Sequence, residues 1–337
     1  MGKSNLTGIV AAAALAAALA MAASAARAQA AANSNTAPNP YHEEVGWAKS
    51  AVGRPFGATG AIGIDRDGKS VWVFDRCGGA TCEKSKIAPI MKFDSNGALL
   101  TAFGSGLFNA PHGFFADKDG FLWITDFVGG NGKGHTVMKL DQTGKVLMTL
   151  GKPGVAGDGP DEFNAPSDVL VAPSGHIFVA DGHGGKTNGR IVEFANDGKF
   201  IKTWGKPGKE TGEFDTPHKL AMDSQGRLFV ADRGNSRLQI FDQDGKFLAE
   251  WKQFGRPSSV FIDKHDVIYV ADSQSSDKTN PGFQQGIRVG DAKTGEITAF
   301  IPETKQLGAL EGVAADDAGN VYGGYTNTMD FKRFVKN

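Results

Sequence analysis

Short runs of alternating apolar and polar residues, separated by tight-turn sequences, occupy most of this chain. Two segments show the pattern clearly, one starting at Glu162 (EFNAPSDVLVAPSGHIFVAD) and one at Glu213 (EFDTPHKLAMDSQGRLFVAD). Each segment continues into two further apolar runs, and turns such as Pro-Ser-Gly, Ser-Gln-Gly and Asp-Gly-Lys join the runs. Four short strands that repeat at 40 to 50 residues predict one blade of a β-propeller.

The second strand of the repeat can be followed along the whole chain, which predicts six blades. Its predicted ends are Asp75, Asp126, Asp181, Asp232, Asp272 and Gly324. The sixth repeat stops after its third strand, so one strand is missing. Because Trp47 to Pro55 (WAKSAVGRP) resembles Trp251 to Pro257 (WKQFGRP), we expect the N-terminal segment to complete the last blade and close the ring. The predicted fold class is therefore all-β, a closed six-bladed propeller.

The N-terminus has the features of an export signal. Residues 1–30 contain a basic start at Lys3, an apolar stretch from Ile9 to Ala23, and the cleavage sequence Ala28-Gln29-Ala30. Residues 31–44 then form a polar tail, and residues 45–337 form the propeller. We expect a secreted or periplasmic protein that has no membrane segment after cleavage and is a monomer. An uncleaved anchor helix is the alternative, but the apolar run is short for a membrane span.

Composition narrows the function classes. The 36 basic and 37 acidic residues nearly balance, which argues against a nucleic-acid partner. The 46 glycines of 337 residues suit a chain with many turns, and no G-x-y period of a collagen is present. The two cysteines, Cys77 and Cys82, lie in one Gly-rich loop (CGGATC), and export permits the local disulfide that we predict. A metal pair is the alternative for these cysteines.

Register in the repeat suggests a metal site. The residues that open the first strand of the six blades are Gly60, His112, Ser167, His218, Ser258 and Glu311. His112, His218 and Glu311 stand in blades two, four and six, so three side chains at one height converge on the propeller axis. Two histidines and one glutamate are a catalytic zinc ligand set with an open position. In the alternative, each histidine only hydrogen-bonds a neighbouring carbonyl.

The loops that follow the second strands carry further candidates. His183 follows Asp181, and Arg76, Arg233 and Tyr325 occupy the matching loops of blades one, four and six. These arginines are either structural, each held by the preceding aspartate, or they ring the channel mouth and bind an anionic substrate. His183 and Tyr325 are the candidate acid–base groups, and Arg76 and Arg233 the candidate substrate-binding groups.

The repeats resemble NHL repeats across essentially the whole mature chain. Within that group, the segments around His112 and His218 resemble the catalytic core of peptidyl-α-hydroxyglycine α-amidating lyase, which cleaves a C-terminal hydroxyglycine to a peptide amide and glyoxylate. That resemblance implies zinc on three inner-strand histidines, two of which match His112 and His218, each in a Pro-His sequence. It implies that Arg76 and Arg233 contact the substrate, and that a tyrosine near the zinc acts as base.

Three positions depart from the family pattern. Glu311 stands where the family has its third histidine, and His183 stands where it has the tyrosine. Glutamate still ligates zinc, but its charge weakens the metal as a Lewis acid, whereas histidine takes a proton with a more ordinary pKa than tyrosine. Gly312 replaces an aspartate of the family's calcium site, which argues against calcium here.

Two function classes follow. The first is an exported zinc-dependent carbon–nitrogen lyase, or a related enzyme, for a small peptide-like or carboxylate-bearing substrate. The second is a propeller without chemistry that binds a peptide, a protein or a glycan through its loop face, including the insertions 127–136 and 273–285. A calcium-dependent lactonase is less well supported, because it needs several acidic and Asn ligands and this register offers only Glu311.

Overall fold

The alternating segments form β-strands in the computed structural model, which describes residue 30 and residues 33–49, 54–303 and 309–337. These residues build six four-stranded antiparallel sheets, which confirms the predicted all-β six-bladed propeller. Apart from Ala30, the predicted signal peptide lies outside the described residues. Within the described ranges, no helix has the length and apolar character needed to cross a membrane.

Each blade runs from an innermost strand at the axis to an outer strand at the rim. The innermost strands are β2 (Thr59–Ile64), β6 (Pro111–Ala116), β10 (Pro166–Val171), β14 (Pro217–Met222), β18 (Pro257–Ile262) and β22 (Leu310–Ala315). The second strands are β3 (Val71–Asp75), β7 (Leu122–Asp126), β11 (Ile177–Asp181), β15 (Leu228–Asp232), β19 (Val267–Asp272) and β23 (Val321–Tyr325). Each innermost strand contacts the next one around the ring, and β22 contacts β2, so the ring is closed.

The remaining two layers form the outside of each blade. The third strands are β4 (Ile90–Phe93), β8 (Thr136–Leu140), β12 (Arg190–Phe194), β16 (Arg237–Phe241), β20 (Gly286–Asp291) and β24 (Asp330–Lys336). The outer strands are β5 (Leu99–Phe103), β9 (Val146–Leu150), β13 (Phe200–Trp204), β17 (Phe247–Trp251), β21 (Ile297–Pro302) and, in blade six, β1 (Tyr41–Glu44).

An N-terminal strand does complete blade six, but not the one expected. The strand is Tyr41–Glu44, paired with β24, and it lies in the segment that the sequence analysis assigned to the polar tail. The prediction that Trp47 to Pro55 supplies this strand is therefore wrong, because Gly46 turns the chain with φ +73° before Trp47 is reached. Trp47 packs between blades six and one, with ring centroids 5.2 Å from Tyr322 and 5.8 Å from Phe331.

The described hydrophobic core is divided among the joints between blades. Six clusters of buried residues are present, and each combines side chains of two neighbouring blades. In the joint between blades two and three, for example, Trp123 of blade two and Val179 of blade three belong to one buried cluster. Every blade therefore buries its apolar side chains against two neighbours, and closure of the ring completes this burial.

A buried aspartate ends the second strand in five blades. These residues are Asp75, Asp126, Asp181, Asp232 and Asp272, and none has exposed surface. Each carboxylate accepts backbone N–H groups from the segment that leads into the innermost strand of its own blade. Such hydrogen bonds to a charged acceptor contribute about 1.5–3 kcal/mol each. The aspartate therefore holds the start of the innermost strand in place.

Most of these carboxylates also pair with an arginine. In blade three, Arg190 Nε donates to Asp181 Oδ2 at 2.9 Å, and the Arg190 side chain is 10% exposed. Blade two has Thr136 where blade three has Arg190, and no arginine within the described ranges contacts Asp126. Burial raises the pKa of Asp126 to about 6, and it also raises the pKa of Asp181, where the Arg190 charge acts in the opposite direction.

We predict unequal costs for the same substitution in these two blades. Asp181→Asn leaves the buried Arg190 charge without its partner, and it should lower the free energy of unfolding by about 3 kcal/mol or more. Asp126→Asn breaks no arginine pair, but its amide can accept only one of the two backbone N–H groups of Asn109 and Ala110, so it should cost less than Asp181→Asn, about 1–2 kcal/mol at pH 7. Urea unfolding at pH 7 measures both values.

The pH dependence supplies the control. Because the pKa of Asp126 is raised on folding, its contribution to stability is fully present below about pH 4 and is lost as the pH rises through about 6. The difference in stability between Asp126→Asn and the unmodified protein should therefore move in favour of the variant from pH 5 to pH 8. Equal costs for the two variants would contradict the assigned role of Arg190.

Candidate metal centre

The residues that the register singled out occupy the second position of each innermost strand. In every blade, the pairing of the innermost strand with the second strand is irregular at this position, for instance between Pro111 and Phe114 in blade two. A bulge of this kind re-aims the side chain away from the regular alternation of the strand. The bulge in each blade thus directs His112, His218 and Glu311 to one place.

His183 joins these three residues. The ring centroid of His112 lies 4.7 Å from that of His218 and 4.5 Å from that of His183. The Nε2 atoms of His183 and His218 are 3.1 Å apart, and Nε2 of His112 is 3.8 Å from Oε2 of Glu311. One ligand atom from each of the four residues lies within 4.8 Å of all the others. The cluster offers a ligand set for a metal ion.

Two backbone carbonyls set the tautomers of the axial histidines. Nδ1 of His112 donates to Ser167 O at 2.7 Å, and Nδ1 of His218 donates to Ser258 O. Because Nδ1 carries the proton in both rings, both Nε2 lone pairs face the cluster, an arrangement typical of metal-ligating histidine. The Nε2 atom of His112 is buried and has no hydrogen-bond partner among the described residues.

A glycine in the blade-three loop brings His183 to the axis. Gly182 has φ +142°, and a Cβ atom there would lie 1.3 Å from Asn188 O, so no other residue fits this backbone. The backbone N–H of His183 then donates to Ala165 O at 3.0 Å. The backbone is therefore fixed at Gly182 and at His183 itself.

The two predicted arginines lie beside the cluster, and neither is held by the aspartate that precedes it. Asp75 pairs with Arg54, and Asp232 pairs with Arg237. Arg233 instead donates from Nη1 to Glu311 Oε1 at 3.0 Å, and its Nη2 lies 3.5 Å from Nε2 of His183. The structural alternative for Arg233, binding to its own aspartate, is thereby wrong.

Arg76 has a different environment. Its Nε donates to Pro111 O at 3.4 Å, and its guanidinium lies over the Phe127 ring, 5.3 Å from the centroid. The same ring stands 5.0 Å from His112 and 4.7 Å from His183. Phe127 thus forms an apolar and aromatic side of the cluster and leaves Arg76 beside it.

Charges around the cluster keep its imidazoles neutral. Burial lowers the pKa of His112 and of His218 well below the ordinary value. Burial, with the adjacent Arg233 charge, lowers the pKa of His183 to about 3. Lys219, which pairs with Asp168 at 3.2 Å and is almost fully buried, acts in the same direction. Neutral imidazoles are the form that binds a metal.

The donor set fits zinc. Two ligands bound at 2.0–2.1 Å to a tetrahedral ion are ~3.3 Å apart. The Nε2 atoms of His183 and His218 are 3.1 Å apart, and the four candidate ligand atoms all lie within 4.8 Å of one another. A divalent ion would also supply the partner that the buried Nε2 atom of His112 lacks. The residues present are therefore suited to zinc or a similar divalent metal.

The structure places Tyr325 elsewhere. Its side chain is 2% exposed and packs in the cluster between blades five and six, with Leu310 and Ile301. Burial and a hydrogen bond with the Glu303 carboxylate raise its pKa well above the ordinary value. The sequence prediction of Tyr325 as an acid–base group is wrong, because the last residue of β23 points into the blade joint.

Cys77 and Cys82 form a disulfide beside the site, with their Cα atoms 5.1 Å apart. Cys77 follows Arg76 directly, so the bridge stabilises the loop that carries this arginine. The sequence analysis missed Phe127, Lys219 and the grouping of His183 with the axial residues. For Phe127, the sequence did contain a signal. It directly follows the aspartate that ends a second strand, as Arg76 follows Asp75 and Arg233 follows Asp232.

Known proteins share parts of this sequence. Residues 214–241, in blade four, match the NHL repeat. The chain is 35% identical over 197 residues to NHL repeat-containing protein 3 of Mus musculus. This match covers 57% of this chain and 54% of the mouse protein. The chain is 40% identical over 141 residues to a probable peptidyl-α-hydroxyglycine α-amidating lyase of Caenorhabditis elegans, covering 41% of this chain and 38% of that protein. The chain thus spans about half the length of the first relatives it matches.

Solved structures share the architecture. A streptogramin B lyase superimposes with a TM-score of 0.57 at 13% sequence identity, covering 88% of this chain and 97% of that one. At this identity the likeness concerns the fold alone. Sequence relatives with the lyase name and the NHL repeat agree with the resemblance drawn from the residues.

We predict that the clustered imidazoles do not titrate near neutral pH when the protein is stripped of metal. Of the seven histidines, His112, His183 and His218 should stay neutral from pH 8 to pH 5 because of burial and the nearby cations. Imidazole signals in ¹⁵N–¹H NMR spectra measure each ring.

Stability should follow the same linkage. The pKa values of the three imidazoles are lower in the folded state than in the unfolded state. Their contribution to the free energy of unfolding is therefore fully present above about pH 6.5 and is lost as the pH falls below it. The slope from three rings approaches about 4 kcal/mol per pH unit, and His183→Ala should reduce it. Titration of the three rings near pH 6.5 would show that the cluster is open to water.

Proposed function

We propose that this NHL-repeat propeller is an exported, metal-dependent lyase that cleaves α-hydroxyglycine-type substrates with a free carboxylate. The observation that carries the proposal is the convergence of His112, His183, His218 and Glu311 on the propeller axis, with two tautomers set by backbone carbonyls. The predicted signal sequence supports export, and the lyase relatives support the reaction class.

Local geometry favours the three imidazoles as the metal ligands. The sequence analysis assigned Glu311 to the metal and His183 to proton transfer. His183, whose pKa is about 3, is a weak base but an available ligand, and its Nε2 lies 3.1 Å from that of His218. Three histidines leave the fourth position of zinc open. When bound, the ion supplies Lewis acidity and lowers the pKa of a hydroxyl group placed against it.

Glu311 is then the group that accepts the hydroxyl proton of the substrate. Its carboxylate stands beside the imidazoles, with Oε2 3.8 Å from Nε2 of His112. As the O–H pair becomes the C=O bond of glyoxylate, the C–N bond breaks and its pair goes to nitrogen, which receives the proton back from Glu311 to give the amide. General base groups of this kind contribute about 10²–10⁴-fold in rate.

Charge favours a carboxylate on the substrate. Three basic side chains, Arg76, Arg233 and Lys219, stand near two carboxylates, Glu311 and Asp168, and the imidazoles are neutral. The site therefore has one excess positive charge before a metal binds, and a divalent ion adds two more. An anionic ligand compensates this excess, and a guanidinium binds a carboxylate through paired N–H donors. The proposed partner is thus a small peptide-like carboxylate, bound by a monomer.

The first prediction concerns the metal. Protein purified with zinc and dialysed should contain about one zinc ion per chain, because the imidazoles are arranged for a single ion. The His112→Ala, His218→Ala double variant should contain none, as measured by inductively coupled plasma mass spectrometry.

Exposed histidines provide the matched control. The His42→Ala, His265→Ala variant removes two imidazoles outside the cluster and should keep its zinc. Circular dichroism verifies folding of each variant. Equal metal content in the two double variants would reject the site.

The second prediction concerns turnover. α-Hydroxyhippurate should release glyoxylate, and Glu311→Gln should lower kcat by about 10²-fold or more, since the amide cannot take the proton. Arg76→Gln should act mainly on KM, because its role is to bind the carboxylate.

The assay separates the two function classes. Zinc without glyoxylate release from this or other acylated α-hydroxyglycines would retain the metal site and discard the reaction. The chain would then be a binding propeller.

A further inference from the structure

The two oxygens of Glu311 have different partners. Oε1 accepts from Arg233 Nη1 at 3.0 Å, whereas Oε2 faces the imidazoles. The Glu311 side chain is 11% exposed and that of Arg233 is 9% exposed, so the ion pair is largely shielded from water. Such a pair is strong enough to require a replacement partner when it is broken.

Arg233 has no second carboxylate in contact within the described part of the chain. Asp232, its neighbour in sequence, is occupied by Arg237 and Asn235. Of the nearby charges, Arg256 opposes that of Arg233, and the Asp215 carboxylate favours it without an ion-pair contact. Among the described residues, Glu311 is therefore the carboxylate in ion-pair contact with Arg233.

Arg76 presents the contrasting case. Its guanidinium contacts a backbone carbonyl and the Phe127 ring, and no carboxylate among the described residues forms an ion pair with it. One arginine of the site is thus open to an anion, and the other already holds one. Together with Glu311, the two arginines carry one unbalanced positive charge, because Lys219 is paired with Asp168.

We propose that Glu311 is a resident carboxylate on Arg233 and that a ligand carboxylate enters by displacing it. This inference rests on the proposed function, which assigns the two arginines to the substrate carboxylate. Exchange replaces one ion pair by another, so Arg233 is never left buried without a partner. The incoming carboxylate also removes the one unbalanced positive charge of the pair of arginines and Glu311.

The exchange has two consequences for the site. A ligand without a carboxylate cannot release Glu311, so the resident group excludes neutral ligands that would otherwise fit. The displaced Glu311 turns from Arg233 to the imidazoles and the ligand, so the group assigned to the hydroxyl proton becomes available only after a carboxylate has bound. Selection and activation are thus performed by one side chain.

Binding to metal-stripped protein tests the exchange without turnover. The probe is N-acetylglycine, which has the carboxylate and the amide but no hydroxyl group, measured by isothermal titration calorimetry. Glu311→Gln removes the resident charge and keeps the shape, so it should bind the probe about tenfold more tightly than the unmodified protein. The variant would then bind more tightly while losing turnover.

Three controls make the result specific. N-Acetylglycinamide lacks the carboxylate and should show no gain with Glu311→Gln. Glu296→Gln, on the exposed hairpin between β20 and β21, changes the net charge equally and should leave the affinity unchanged. In an Arg233→Gln background, the gain from Glu311→Gln should disappear, as a double-mutant cycle requires for a direct exchange.

A second variant covers a failure to fold. Glu311→Ala replaces Glu311→Gln if circular dichroism shows that Glu311→Gln does not fold.

The outcomes separate this inference from the proposed function. Equal or weaker binding of N-acetylglycine by Glu311→Gln, or no binding by either protein, overturns the exchange, even if zinc and glyoxylate are found. A tenfold gain that depends on Arg233, without glyoxylate release, supports the exchange and rejects the lyase reaction.

Discussion

The site depends on the hydrogen bonds of the buried aspartate that ends the second strand in five of the six blades. Asp126 and Asp232 accept N–H groups just before Pro111 and Pro217, and the next residue in each strand is a histidine of the cluster. These hydrogen bonds thus set where the imidazoles begin their approach to the axis. Blade six has no such aspartate, because its second strand ends in Gly324 and Tyr325. There the long-range ion pair with Arg233 holds the Glu311 side chain instead.

Low solvent access determines the chemistry of the cluster. Three imidazoles, two arginines and one lysine share a small volume, and burial makes every added positive charge costly. The histidines therefore stay neutral, while the arginines, which cannot lose their protons, remain as a fixed positive field. Among the described residues, Glu311 is the carboxylate that forms an ion pair with these arginines, and the remaining positive charge favours an anion from outside. Metal binding and carboxylate binding are consequently linked through the same few side chains.

The sequence predictions for Trp47 and Tyr325 were wrong, and each failed for a local reason. The match of Trp47 with Trp251 identified a tryptophan that packs in a blade joint, but the turn at Gly46 ends the strand before that tryptophan. Tyr325 occupies a loop position equivalent to that of Arg233, yet its apolar ring is buried in the joint between blades five and six. Repeat alignment locates a backbone position; it does not determine whether the side chain turns to the axis or into the joint, since that depends on size and polarity of the neighbours.

By itself, the sequence determined the strand order, the number of blades and the shared register of His112, His218 and Glu311, because period and turn chemistry are local properties of the chain. Only the tertiary structure decided that His183 stands 3.1 Å from His218, that Phe127 lines the cluster, and that Arg233 holds Glu311 rather than Asp232. The His183–His218 and Arg233–Glu311 contacts join residues of different blades that are 35 and 78 positions apart in the sequence. Their distances follow from bulges, loop paths and ring closure, which act together only in the folded propeller.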